Sequence, residues 1–260
     1  MKQGLWTRET VAILTIASLI PLAGFWLWLG GIDALNRLIA IVLIIAIWQL
    51  VFMMSRAQPP SLSLLVTAFA IAVLAPEDLG SIQLTLGVSF GVVLGELVFG
   101  GWGRNVVNPA TVAVAFLGFG FPAAEWPTFH IPIAWAALPA LLLGLVFGVT
   151  PLALALVSMV FCSAASLAGL ISDPVFFAAL IALVLIVLEP VTSAATTFGR
   201  AGQGALYAAL VILFGNAWLG AAPPQIAVSA ALLSSLAAPL LDSMAISLWV
   251  YRRRRRHGRT

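Results

Sequence analysis

Residues able to do chemistry are few in this chain, and they gather in two short stretches. The first runs from Glu96 through Phe99-Gly100-Gly101-Trp102-Gly103-Arg104-Asn105-Val106-Val107-Asn108-Pro109. Glycines at 100, 101 and 103 leave the backbone free to turn and let another group approach it closely. Arg104, Asn105 and Asn108 supply hydrogen-bond donors. Pro109 suits the first turn of a following helix, where its missing N–H has no intrahelical partner. The second stretch is Glu189-Pro190-Val191-Thr192-Ser193-Ala194-Ala195-Thr196-Thr197-Phe198-Gly199-Arg200, where a carboxylate and several hydroxyls flank a proline break. Asp242 stands apart from both, in the last apolar segment.

Everything around these stretches is apolar. Of 260 residues, 62% are hydrophobic and 8% charged, against about 25% charged in a soluble domain. The chain reads as a polytopic, all-α membrane protein and a single membrane domain over 1–260. A spanning helix needs about 20 apolar residues, and ten segments meet or approach that: roughly 10–30, 35–54, 62–75, 82–100, 109–121, 131–148, 150–171, 175–189, 203–219 and 225–249. The third and eighth are short and run into Pro76 and Pro190. The first is long enough to span and reads as a retained helix. The lone Cys162 excludes an internal disulfide and a thiolate iron–sulfur cluster made by this chain alone. No His or Cys cluster has metal-ligand spacing, so no metal site is expected, and His130 reads as a surface residue.

The breaks recur at nearly one interval. Pro76 and Pro190 are 114 residues apart, and Phe99-Gly100 and Phe214-Gly215 are 115 apart, as are Pro109 and Pro224. This predicts a duplication, with repeat one at about 1–121 and repeat two at about 131–250. Five segments per repeat place the second upside down relative to the first. Paired, proline-interrupted helices in inverted halves point to a central site.

Charge gives an orientation. Six of the twelve basic residues lie in one tail, Arg252 to Arg256 and Arg259, within the basic stretch 251–260. With a cytoplasmic N-terminus, Lys2, Arg8, Arg56, Arg104, Arg200 and this tail all fall inside, as the positive-inside rule asks. Glu77, Asp78, Glu125 and Asp173 fall outside. Arg37 alone breaks the rule, with Asp33 one turn before it. Both termini are therefore expected in the cytoplasm.

Candidate roles follow from residue type. Glu96 lies one turn before the glycine loop inside an apolar helix, where a carboxylate costs roughly 2.5–3.5 kcal/mol on insertion scales and is usually paired or functional. It suits an ion pathway, or else a structural pair with Arg104 or Arg200. Glu189 could bind a cation or cap the backbone freed by Pro190, and Asp242 could serve similarly. Arg104 and Arg200 could clamp a phosphate or a flavin or quinone carbonyl, or simply snorkel to the interface. Asn105 and Asn108 are expected to tie the loop together. Thr192, Ser193, Thr196 and Thr197 offer hydroxyls to a cavity.

Leu94-Gly95-Glu96-Leu97-Val98-Phe99-Gly100-Gly101-Trp102-Gly103-Arg104-Asn105, continuing through Asn108-Pro109-Ala110, resembles the signature of the NqrB/RnfD family. These are the B subunit of sodium-translocating NADH:quinone oxidoreductase and the D subunit of the Rnf complex. The Phe121-Pro122 to Trp126-Pro127 turn extends the resemblance. So do Glu189-Pro190-Val191-Thr192-Ser193-Ala194 with Gly199-Arg200, and Ala238-Pro239-Leu240-Leu241-Asp242 before the basic tail.

The resemblance implies ten transmembrane helices in two inverted repeats, a flavin and a role in electron transfer. Its B-subunit branch implies quinone reduction as well. The implied cofactor set is a flavin (FMN or riboflavin), a quinone, or both, bound near Gly100, Gly101, Gly103, Arg104, Asn105, Asn108, Thr192, Ser193, Thr196 and Arg200. Most members also carry an Asp-x-x-Ser/Thr-Gly-Ala-Thr segment whose last threonine holds FMN covalently. Here Trp126-Pro127 is followed almost at once by the next helix, and the segment is missing. Ser163-Ala164-Ala165-Ser166 is a faint echo without the upstream aspartate, which makes Ser166 the one residue to test as an attachment point. Gly95 stands where many relatives carry lysine, and Glu189 where they carry aspartate.

The chain is therefore expected to be a membrane subunit of a flavin- or quinone-linked electron-transfer complex in a bacterial cytoplasmic membrane. Covalent FMN is not expected. Other membrane subunits would be its partners, and Na⁺ or H⁺ translocation a possible coupling. The alternative is an inverted-repeat transporter or channel for a small solute or ion without redox activity.

Overall fold

The computed structural model describes residues 7–129 and 131–257; His130 lies outside them, as do Lys2 and Arg259. The described residues are all-helical. Nine α-helices follow in order: α1 (Arg8–Arg56), α2 (Ser63–Leu74), α3 (Ser81–Gly95), α4 (Pro109–Gly120), α5 (Ile131–Phe147), α6 (Leu152–Leu167), α7 (Asp173–Ala182), α8 (Thr197–Ala217) and α9 (Pro223–His257). Four stretches are long and apolar enough to cross a membrane: Arg8–Arg56, Ser81–Phe99, Thr197–Ala217 and Pro223–Arg253. The remaining helices are apolar and shorter. This is a multi-pass membrane protein.

Helix α1 is two helices folded at one residue. Gly31 takes φ 55° and ψ −139°, a conformation that side-chain-bearing residues rarely adopt. The two ends of α1 reach the same place. Glu9 accepts the Leu62 N–H at 3.2 Å, and Arg56 donates to the Val98 carbonyl at 3.3 Å. The sequence expectation of two segments, 10–30 and 35–54, corresponds to these two arms, so the described residues carry ten helical runs.

The short helices form the centre. Residues 68–75 of α2 and its exit are buried throughout, and so is nearly all of the run from Ala178 to Leu188 at the end of α7. Both are apolar on every side, the pattern of a helix surrounded by others. A π-helical turn, Leu183–Val187, finishes α7 and closes with the Leu188 N–H on the Leu183 carbonyl at 3.0 Å.

Three boundaries differ from the sequence reading. Helix α3 stops at Gly95, and a 3-10 turn covers Leu97–Phe99; Glu96 is thus at the break itself, not one turn inside a helix. Helix α8 begins at Thr197 rather than 203, because the Thr196 hydroxyl caps it by accepting the Gly199 N–H at 3.0 Å. Helix α9 continues to His257, so much of the basic tail is helical.

Arg37, the exception to the charge rule, has a structural explanation. Its Nη2 donates to the Ala75 and Pro76 carbonyls, each at 2.7 Å, and its Nη1 to the Glu77 carbonyl at 3.4 Å. These carbonyls follow the C-terminus of α2, where Pro76 ends the helix and leaves acceptors without intrahelical donors. At this same end of the molecule the Glu77 N–H meets the Glu125 carbonyl at 2.7 Å. Arg8, Arg56, Arg104 and Arg200 lie at the other end, with the glycine loop and the second break.

Candidate functional site: two helix breaks joined at a carboxylate

The loop after α3 is built on glycine. Gly100, Gly101 and Gly103 have φ of 108°, 87° and 95°, all in the region that L side chains avoid. The turn closes with the Gly101 N–H on the Glu96 carbonyl at 3.1 Å and the Arg104 N–H on the Gly101 carbonyl at 3.2 Å. Asn105 Oδ1 accepts the Gly103 N–H at 3.1 Å. Asn108 caps α4, its Oδ1 accepting from Ala110 at 2.8 Å and Thr111 at 3.2 Å. Both asparagines thus hold the loop together.

Glu189 ties this loop to the second break. Trp102 donates its indole N–H to Glu189 Oε1 at 2.8 Å, while Asn108 Nδ2 at 2.9 Å and the Thr192 hydroxyl at 3.1 Å donate to Oε2. Glu189 is half-buried and its carboxylate takes three donors, which is how such a group is kept beside an apolar interior. Glu96 is buried, at 3% exposure. Its electrostatic neighbours are the Glu189 carboxylate, the Arg8 guanidinium and the Trp102 backbone N–H. The cation whose charge acts on it is Arg8, itself ion-paired with Glu9 at 3.8 Å, and not Arg104 or Arg200 as the sequence suggested. Trp102 addresses both carboxylates, one through its backbone and one through its ring.

The second break has its own anchors. Asp242 of α9 accepts the Ala195 N–H through Oδ2 at 2.7 Å, and the Thr196 N–H and hydroxyl through Oδ1 at 2.9 and 2.6 Å. Gly199 is required beside it, since a Cβ there would run into Asp242 Oδ1. Buried Gln203 accepts the Ala194 N–H at 2.8 Å, and Arg200 Nε donates to the Ala194 carbonyl at 2.8 Å. Ser193 donates to the Pro190 carbonyl at 3.4 Å. Asp242 and Arg200 accordingly brace the break and stand apart from the Glu96–Glu189 pair.

The space between the breaks is small. A cavity of about 10 Å³, lined by Thr15, Ser63, Thr67, Trp102, Asn108 and Glu189 among others, offers room for about one water. A flat ring does not fit there. Arg104 folds across Gly100 on the exposed side of the loop, its Nη1 standing 3.1 Å from where a Gly100 Cβ would be. A Cβ on Gly95 would lie 2.9 Å from Pro109 Cα, so the close approach of α3 to α4 accounts for glycine at this position. Ser166 lies in the last turn of α6, with its carbonyl accepting the Gly169 N–H at 3.0 Å; it takes no part in joining the breaks.

Sequence reasoning missed Arg8, Gln58, Trp102 and Gln203. Gln58 Nε2 donates to the Leu97 carbonyl at 3.1 Å. Three buried polar atoms around the glycine loop have no hydrogen-bond partner among the described residues: Gln58 Oε1, Asn105 Nδ2, whose amide still acts on Glu189, and Arg8 Nε, which stands 3.8 Å from Glu9 Oε1 as an ion pair. A Cβ at Gly101 would stand 3.6 Å from an Arg8 guanidinium nitrogen and 3.9 Å from Gln58 Oε1. Polar residues next to the ends of apolar helices were the available signal.

The architecture is that of a multi-pass helical membrane protein in which two helix interruptions meet through donors of the first on Glu189 of the second, with buried Glu96 nearby. The NQR2, RnfD, RnfE family matches residues 5–130, a stretch that contains the whole glycine loop and ends before Glu189. The B subunit of the Na(+)-translocating NADH-quinone reductase of Yersinia pestis is 38% identical over 109 residues, 41% of this chain and 26% of that protein. The protein of the same name from Klebsiella pneumoniae subsp. pneumoniae is 37% identical over 95 residues, 36% of this chain and 23% of its own length. That from Haemophilus influenzae is 35% identical over 95 residues with the same coverage. Residues 5–130 of the chain are thus similar to the NQR2, RnfD, RnfE family, and the chain spans about a quarter of the length of the curated relatives it matches.

Proposed function

We propose that this chain is a membrane subunit of a flavin- and quinone-linked electron-transfer complex, with the glycine loop as its cofactor-binding element. The observation that carries the reading is the group of atoms on and around that loop without hydrogen-bond partners among the described residues. Arg8 Nε and Asn105 Nδ2 are donors, and Gln58 Oε1 is an acceptor. A buried polar atom left unpaired costs about 1–3 kcal/mol; Gln58 Oε1 is in that position, and Arg8 Nε and Asn105 Nδ2 are satisfied only by the distant or electrostatic partners Glu9 and Glu189, so the group favours a ligand with matching atoms. The ring edge of a flavin carries carbonyl oxygens and an N–H, and fits this set. A quinone offers acceptors only and leaves Gln58 Oε1 unmatched. Gly103 leaves its backbone face open, and a flat ring over Gly100 would take the place of the Arg104 side chain now folded across it; the cavity between the breaks is too small to hold such a ring. A flavin there would supply one- and two-electron transfer, and the chain would position it and set its charge environment. The short connection after Trp126-Pro127 favours noncovalent attachment.

Glu96 and Glu189 form the candidate ion path, with Na⁺ or H⁺ as the ion. Two carboxylates beside one guanidinium in a partly buried site are suited to exchanging a cation. Asp242 serves this path indirectly, by fixing the break that carries Glu189. Pro76 lies with Arg37 beyond the end of α2 and Pro190 beside Ser63 at its start, a separation that favours reading the two repeats as an inverted pair of five helices. The gathering of arginines at the glycine-loop end favours that end, and both termini, on the cytoplasmic side of a bacterial membrane. Other membrane subunits would deliver and remove electrons.

Acid extraction of the purified protein, followed by flavin fluorescence, tests the reading. About one flavin per chain is expected, falling several-fold in Asn105→Ala. Flavin-free protein that moves solute across vesicle membranes would establish the transporter instead.

A further inference from the structure

We propose that the groove between the start of α8 and the last turns of α9 binds one anionic phospholipid. The groove is a cavity of about 510 Å³, with Thr196, Phe198, Ala245, Ile246, Trp249 and Arg252 in its wall. Its long side is apolar and open outward: Phe198, Ile246 and Trp249 are each more than half exposed. Its mouth is cationic. Arg252 lines it, and Arg253 lies over the Trp249 ring at 5.1 Å from the centroid. The sequence then continues with Arg254, Arg255 and Arg256.

This order of groups fits a lipid with a charged head. An acyl chain covers the surface from Phe198 to Ile246. Trp249 stands at the depth where indoles favour the membrane–water interface. Arg252 then meets the phosphodiester, whose oxygens match the guanidinium fork. A basic pocket at the end of a transmembrane helix is the usual protein partner of an anionic headgroup. A neutral quinone would match the apolar wall but has no charge to set against Arg252. The Thr196 hydroxyl is already engaged by Asp242 at 2.6 Å, so the lipid seats beside the junction of α8 and α9 without disturbing it. Its presence would clamp the two helices that hold the second break. The inference needs only the membrane and these side chains, and is independent of the flavin assignment.

Native mass spectrometry of the full chain in mild detergent provides the test, titrating phosphatidylglycerol against phosphatidylcholine with the same acyl chains. One phosphatidylglycerol should be retained in preference. Arg252→Gln should weaken it about fivefold, the scale set by one basic residue near an anionic lipid, and leave phosphatidylcholine unchanged. Arg252→Lys should restore most of the preference. Ala245→Trp, which fills the groove, should weaken both lipids. Because Arg252 is exposed, its variants test the site even if the tryptophan variant fails to fold. Equal binding of the two lipids overturns the proposal. So does a preference that survives Arg252→Gln, which would mean diffuse attraction to the tail. Displacement of phosphatidylglycerol by a neutral benzoquinone, with no effect of Arg252→Gln on the quinone, overturns it in favour of a quinone groove.

Discussion

The Trp102 indole lies 2.8 Å from Glu189 Oε1 and joins segments 87 residues apart in the chain. Through this bond and that from Asn108, two separate helix interruptions become one structural unit. Each break frees backbone groups that lipid cannot satisfy, and the carboxylate gives the loop side chains a common target.

Glu189→Ala should be more damaging than Glu189→Gln. Alanine strands the Trp102, Asn108 and Thr192 donors, each worth about 1–3 kcal/mol when left unpaired. Glutamine retains an acceptor oxygen. Thermal unfolding in detergent should rank wild type above Gln and Gln above Ala, with at least about 2 kcal/mol between the two variants. Equal stabilities would mean that Glu189 does not hold the breaks together.

Asp242→Ala should loosen the second break and leave the first intact. It removes the acceptor of the Ala195 and Thr196 N–H groups and should cost about 1–3 kcal/mol. Limited proteolysis should then cut near Ala195 while the glycine loop stays resistant. Cleavage at the glycine loop as well would show that the two breaks respond as one.

Gly101→Leu should cut flavin content several-fold. Its φ of 87° adds strain of roughly 1–2 kcal/mol for a side-chain-bearing residue, and the leucine would occupy the face claimed for the ring. Gly101→Ala carries the same backbone strain with little added bulk. If the two variants lose flavin equally, the loss is conformational and the ring does not lie there.

Arg37→Gln should destabilise the protein by about 1.5–3 kcal/mol, the range for hydrogen bonds to a charged group, and leave flavin content unchanged. The carbonyls it caps are at the opposite end from the glycine loop. A fall in flavin at unchanged stability would place Arg37 in the functional site.

Reporter fusions at the two ends should both read cytoplasmic. An even number of helical runs and the arginine-rich last helix underlie this expectation. An external C-terminus would overturn the inverted-repeat arrangement.

The breaks themselves were legible because their causes are local. Pro76, Pro190 and the glycines at 100, 101 and 103 interrupt helices whatever surrounds them, and Asn108-Pro109 marks a helix start on its own. The meeting of Trp102 with Glu189 was not legible, since it depends on how α4 and α7 each pack against α2 and α9 between them. Nor was the role of Arg8, whose charge acts on Glu96 across 88 residues of sequence. Arg37 looked like a violation of a charge rule until the carbonyls after α2 gave it a local task. Asp242 carried the same sequence signal as Glu189, an acid in an apolar segment. Only the geometry separates a helix cap from a member of the carboxylate pair.

Helix α2 has 12 residues, a length of about 18 Å, well short of a hydrocarbon layer about 30 Å thick. Alone in the bilayer it would leave its end carbonyls in oil. The groups that relieve them, Arg37 above all, belong to the second arm of α1. Biogenesis of this protein must therefore be concerted. The central helices cannot be delivered to the membrane one at a time as finished spans, and enter as cargo of the longer helices that emerge before and after them.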